Sequence, residues 1–240
     1  MFEAFAWGAI AASSLLLGAL FSYLFAPGRR TIAAVMALGT GLLIGSVCFD
    51  LIDEALKTSK VGTVALVMLG GAAVFTVGNW ALARNGASKR KDPTGAQADG
   101  SPVAILMGSI LDGIPESFVL GLTVLQGGVS VPLLLAIALS NLPEGMSSSS
   151  GMKAAGWPQR RVYLIWLAVV VVSGISAAIG YLLLDPASGR TGALAQAFAA
   201  GALLTMLADT MLPEAYAVEG VFTGSVVAAG FALAIALKAF

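Results

Sequence analysis

Eight apolar stretches run along this chain, each about 20 residues or longer, and several carry acidic residues with no Lys or Arg deep inside to pair with them. They cover residues 3–25, 31–56, 61–83, 102–126, 129–152, 158–184, 191–217 and 220–240. A hydrocarbon core about 30 Å thick is crossed by about 20 residues of helix. Lipid offers the backbone no hydrogen-bond partner, so a chain crossing it closes its own hydrogen bonds as helices or a closed barrel. The stretches predict an all-α polytopic membrane protein of eight transmembrane helices, with residues 1–240 as one transmembrane domain. Composition agrees: 58% of residues are hydrophobic and 11% charged, with a mean hydropathy of +0.91, whereas soluble domains are about 25% charged.

The same numbers narrow the chemistry. Net charge is zero, so no electrostatic nucleic-acid partner is expected. The single cysteine, Cys48, excludes a disulfide framework within the chain and a multi-Cys zinc site. Histidine is absent, which removes imidazole acid–base chemistry and His-rich zinc sites. No phosphate-binding glycine loop of the Walker type occurs, and no organic cofactor is expected. Intramembrane aspartyl protease motifs such as Gly-x-Gly-Asp are also missing, so the chain does not read as an enzyme.

The first stretch contains Glu3 and no basic residue before Pro27. Signal peptides open on positive charge, so it is read as a retained helix. Residues 84–101, with Arg84, Lys89, Arg90, Lys91 and Pro93, read as a flexible loop between the third and fourth spans. With eight spans, nine basic residues (29, 30, 84, 89, 90, 91, 153, 160, 161) face one side and four (57, 60, 190, 238) share the side of the termini. Positive charge accumulates in the cytoplasm. The expected placement is a multi-pass protein of the cell membrane, with both termini outside and the 84–101 loop cytoplasmic.

Internal repeats add symmetry. Leu111-Asp-Gly-Ile-Pro-Glu-Ser in the fourth span matches Leu139-Ser-Asn-Leu-Pro-Glu-Gly in the fifth at Leu, Pro and Glu. Residues 41–56 of the second span align with 201–216 of the seventh, setting Glu54 on Glu214 and Ala55 on Ala215. Both pairs join spans of opposite direction, the character of an inverted repeat.

Eight acidic residues lie within or near the ends of apolar spans: Asp50, Asp53, Glu54, Asp112, Glu116, Glu144, Asp209 and Glu214. An ionised side chain at mid-bilayer costs a few kcal/mol, so such groups are protonated, line a wet cavity or hold cations. Asp112 and Glu116 are four residues apart and share a helix face, and Ser140 and Glu144 repeat that spacing, with Asn141 one step around. Two facing helices would gather three carboxylates, an amide oxygen and a hydroxyl, a ligand set suited to divalent cations. Protonated carboxyls bonded between helices as packing devices are the plainer alternative. Asp50, Asp53, Glu54, Asp209 and Glu214 are candidates for a pathway, though Asp53 and Glu54 sit where they could simply reach the outer surface. Pro115, Pro143 and Pro213 each precede a glutamate, freeing the carbonyls of Leu111, Leu139 and Asp209. Serines 147–150 read equally as a wet path or as small residues for close packing, and Cys48 reads as a small buried apolar group, or as a soft ligand if it faces the path.

At Asp112-Gly-Ile-Pro-Glu-Ser and Ser140-Asn-Leu-Pro-Glu-Gly the chain resembles the ZIP (ZRT/IRT-like) metal transporters, whose motifs take the form His-Asn-x-Pro-Glu-Gly. The resemblance implies a secondary transporter that carries a divalent metal into the cytoplasm, Zn²⁺ by family, through a site on spans four and five, by movement of spans one, four, five and six against the rest. The family's glutamates fall on Glu116 and Glu144, its motif histidine on Asp112 and its span-five counterpart on Ser140. Gly113 replaces an Asn that Asn141 keeps in span five. Gly174 and its neighbours offer no acid for a second metal. With imidazole replaced by oxygen ligands, Mn²⁺ or Fe²⁺ would bind comparatively well. The partners implied are membrane lipid and the metal ion, with a homodimer left open. The alternative is a ZIP-like membrane protein that has lost transport and serves as a metal sensor or assembly partner.

Overall fold

The computed structural model describes residues 1–25, 27–84, 102–125, 128–182 and 189–238. The predicted 84–101 loop lies outside these apart from Arg84. The described residues contain helices and short connections, with no strand among them. Helix α1 spans Phe2–Phe25 and α2 spans Arg29–Thr58. Then come α3, Val61–Leu82, α4, Pro102–Leu125, α5, Val131–Ala154, and α6, Gln159–Leu182. Helix α7 covers residues 189–219 and α8 spans Thr223–Lys238. Gly220 separates the last two: its φ of +62° leaves the helical region, a conformation that costs glycine little.

Six helical segments among the described residues are long and apolar enough to cross a membrane, and the chain is a membrane-embedded helical protein. One of the six runs Gly189–Lys238, through α7, Gly220 and α8. Helix α5 is not among them, although its 24 residues give it the length. Ser140, Asn141, Glu144 and serines 147–150 make it too polar, and the structure encases it: from Ser140 to Met152 only Leu142 and Ser150 are more than marginally exposed. The other helices screen this polarity from lipid.

Two helices change pitch in step. α2 passes through a π turn at Val47–Ile52 and α7 through one at Leu207–Met211, each flanked by residues in ordinary right-handed helical conformation. In the alignment of residues 41–56 with 201–216 the two turns coincide. A π turn adds a residue to one helical turn and marks functional helices more often than others. Pro213 follows the second turn but the first has no proline near it, so proline is not their common cause.

Small residues decide the packing. Lipid supplies no hydrophobic drive between helices, so close backbone approach and dispersion do. Gly18 of α1 lies on the Leu142 carbonyl of α5, and Gly145 of α5 lies on the Leu15 carbonyl of α1. The same reciprocal arrangement joins α4 to α6 through Gly121 and Gly180, α2 to α8 through Gly41 and Gly230, and α3 to α7 through Gly71 and Gly201. A Cβ at any of these would collide with the opposing carbonyl. Two groups result: α1, α4, α5 and α6 pack mainly among themselves, and so do α2, α3, α7 and α8. The seam between them is chiefly α2 against α5 and α4 against α7. One continuous apolar cluster, including Leu43, Leu120, Ile137 and Leu203, bridges it.

Candidate functional site

All five predicted ligand residues are buried. Ser140, Asp112, Glu116, Glu144 and Asn141 expose 1%, 2%, 3%, 5% and 6% of their surface. With about 3.6 residues per turn, Ser109, Asp112, Glu116 and Thr123 form one stripe along α4, and Asn141, Glu144 and Ser148 form another along α5. Asp112, Glu116 and Glu144 each have an interaction partner. Ser140 Oγ donates to the Ile137 carbonyl at 2.9 Å, leaving the oxygen's lone pairs to accept. Among the described residues no group of three or more His, Cys, Asp or Glu side chains is placed to hold a metal ion.

The prolines act locally. Pro115 and Pro143 lie inside α4 and α5, each one residue before its glutamate. The Leu139 carbonyl, deprived of its amide by Pro143, packs on Gly39 of α2. A methyl added to Gly39 would sit 3.1 Å from that oxygen and 2.9 Å from Ser140 Cα. The seam between the helix groups therefore passes directly behind Ser140.

The pathway candidates divide. Asp50 and Glu54 of α2 line a cavity of about 450 Å³ together with Thr123 of α4, Gly128, Val129 and Ser130 of the following turn, and Lys57 and Lys238. Thr123 lies two helical turns, about 10 Å, beyond Glu116 on the same stripe, so the cavity opens above the carboxylates. Asp53 is exposed and engages Lys57 at 3.8 Å and Lys238 at 4.0 Å, while Glu54 holds Lys57 at 2.7 Å. For Asp53 the surface reading applies. Asp209 is exposed and Glu214 half-buried on α7, and neither lines this cavity.

Sequence reasoning missed Thr123, Ser130 and Lys238. Lys238 Nζ donates to the Phe49 carbonyl inside the first π turn at 2.6 Å, and the Ser130 amide donates to Thr123 Oγ1 at 3.2 Å. Only the spacing of Thr123 from Glu116 could have signalled the second. Of serines 147–150, Ser149 accepts from Trp166 Nε1 at 2.8 Å and Ser150 bonds Ser22 at 2.8 Å, so these two serve packing. Cys48, expected to be buried, is only half-buried, in the first π turn, and is free.

No model of a known protein family matches the chain, and no curated protein matches it significantly.

Proposed function

We propose that this protein is a secondary carrier of a divalent metal cation, similar to the ZIP transporters, in which α1 to α8 all cross the membrane. The observation that carries the reading is the buried pair of Pro-Glu helices. Glu116 and Glu144 follow prolines on adjacent helices, and the more polar of the two helices is the most completely encased. Every described Lys and Arg lies at or near a helix end or in a connection. Ionisable residues buried inside membrane helices mark ion and substrate pathways by default.

Internal symmetry supports an inverted repeat. Exchanging α1 with α6, α2 with α7, α3 with α8 and α4 with α5 turns the α1–α5 glycine pair into the α4–α6 pair, and the α2–α8 pair into the α3–α7 pair. The two π turns exchange as well. A site on the exchanged pair α4 and α5 would sit on the pseudo-twofold axis, where such carriers hold their substrate. Arg29, Arg30, Arg84, Lys153, Arg160 and Arg161 mark one end of the bundle as cytoplasmic by charge, leaving the termini outside. Arg84 over Trp80, Arg161 over Trp157 and Lys153 over Tyr23 give that end an interfacial belt.

The substrate metal would draw oxygen ligands from Glu116, Glu144, Asp112, Asn141 and Ser140. That set accepts Zn²⁺ and, with no imidazole to favour zinc, binds Mn²⁺ or Fe²⁺ comparatively well. Uptake by proteoliposomes offered Zn²⁺, Mn²⁺, Fe²⁺ and Mg²⁺ tests the reading. Saturable uptake of a transition metal that disappears in Glu116→Gln and Glu144→Gln is expected, and uptake unchanged by both substitutions would refute it.

A further inference from the structure

Hydroxyls buried in helices usually satisfy themselves by donating to a carbonyl one turn back in their own helix. This chain follows the habit at Ser14, Thr40, Thr123, Ser140 and Thr210, which reach the carbonyls of Ala11, Met36, Leu120, Ile137 and Met206 at 2.7–2.9 Å. Ser109 and Ser148 depart from it. Their hydroxyls are fully enclosed, with residue exposures of 2% and 0%, and neither meets a hydrogen-bond partner among the described residues. The carbonyls one turn back are there to be used, yet both hydroxyls turn away from them.

Their positions are related. Ser109 stands three residues before Asp112 on the acidic stripe of α4, and Ser148 stands four residues after Glu144 on the stripe of α5 that holds Asn141. Helix α4 leads from Pro102 toward the cavity at Thr123, and α5 leads away from that cavity toward Lys153. Both serines are therefore displaced from the carboxylates in the same direction, toward the basic end of the bundle. The other unpartnered buried hydroxyls among the described residues are Tyr23 on α1, Ser46 on α2, Ser59 in the α2–α3 turn and Thr223 at the start of α8, all off these stripes.

We propose that Ser109 and Ser148 form a hydrated step through which the cation leaves the Glu116–Glu144 site for the basic end. The inference rests on the carrier reading above. Buried hydroxyls without protein partners are the groups that ordered water satisfies. Uncharged oxygens suit an exit: they replace part of a hydration shell but hold a cation more weakly than carboxylates do. Conduction requires sites weak enough to be left. The cavity at Asp50, Glu54 and Thr123 serves the opposite side of the site, so together they give it one polar approach from each end.

The chain's single cysteine makes the test direct. In a Cys48→Ala background, Ser109→Cys and Ser148→Cys are reconstituted and exposed to a small membrane-impermeant methanethiosulfonate from either side. Both thiols should react from the basic end, at least tenfold faster than Ser149→Cys, whose native hydroxyl is engaged by Trp166, and saturating Mn²⁺ should slow them. The double variant Ser109→Ala/Ser148→Ala adds no volume and should lower the maximal Mn²⁺ uptake rate about tenfold with KM within about twofold. No reaction from the basic end in protein that takes up metal, or an unchanged uptake rate in the double alanine variant, overturns the step and leaves the carrier reading standing. Reaction from the basic end in protein with no uptake of any metal supports a hydrated step and overturns the carrier reading.

Discussion

Replacing Glu116 or Glu144 by glutamine separates a functional carboxylate from a packing device, because the two predict different changes in stability. Glu116 and Glu144 are 3% and 5% exposed, so an ionised group at either position keeps little of its hydration. At the centre of a membrane helix such a charge costs about 2.5–3.5 kcal/mol by insertion scales. Glutamine keeps the shape and a carbonyl acceptor while removing the charge. Without metal, each variant should melt higher than the parent, by at most about 5–14 °C at about 2–4 °C per kcal/mol, because the partner each carboxylate has offsets part of that cost. Metal at about a hundredfold excess over Kd should stabilise the parent by about 2.7 kcal/mol and the variants hardly at all. Thermal unfolding in detergent, with and without Mn²⁺ or Zn²⁺, reads both quantities and needs no transport assay. A carboxyl kept protonated as a donor between helices predicts little change, because the glutamine amide N–H donates in place of the carboxyl O–H. Variants that melt at or below the parent without metal, and that retain the full metal-induced rise, would refute the reasoning.

Three further outcomes follow from the packing. Gly145→Ala drives a methyl into the Leu15 carbonyl inside one helix group and should lower stability by about 1–3 kcal/mol, seen as a lower melting temperature. Gly39→Ala places its methyl at the seam, 2.9 Å from Ser140 Cα, and should lower the maximal uptake rate about tenfold, with a smaller loss of melting temperature than Gly145→Ala shows. Lys57→Met breaks exposed ion pairs to Asp53 and Glu54 and should leave the melting temperature essentially that of the parent in the same melts.

The helices were legible because lipid leaves the chain few alternatives, and the observed α1 to α8 begin and end within a few residues of the apolar stretches. That Asp112 shares a face with Glu116, and Ser140 with Glu144, was legible too, since spacing by four places residues on one face whatever the neighbours are. Partnership was not. That α5 would be the encased helix depends on Gly18, Gly145 and Gly39 each finding a carbonyl on another helix, and sequence does not say which glycine meets which strand of backbone. The π turns were hidden for a related reason: a register shift of one residue leaves the apolar pattern intact at this resolution of reading. Lys238 at the cavity mouth stands 189 residues from its acceptor Phe49, a pairing that only the approach of α8 to α2 creates.

The distribution of those close contacts bears on how such a molecule could work. Reciprocal glycine–carbonyl approaches join α1 to α5 and α4 to α6 within one group, and α2 to α8 and α3 to α7 within the other. Across the seam, the close glycine-to-backbone approach is one-sided, Gly39 on Leu139 and Ser140, while Gly78 meets only the flexible end of Leu111. Interlocked backbones resist sliding because each carbonyl blocks the other helix, whereas a single glycine lying on a proline-weakened turn offers a smooth surface. Both predicted glutamate ligands belong to the group that contains α4 and α5, so motion at the seam would carry the site as a unit past Gly39. Asp50 and Glu54 would stay behind on α2. The contrast between Gly145→Ala and Gly39→Ala is therefore a test of the seam itself: a Gly39→Ala protein that melts near the parent and transports at the parent rate would show that nothing moves there.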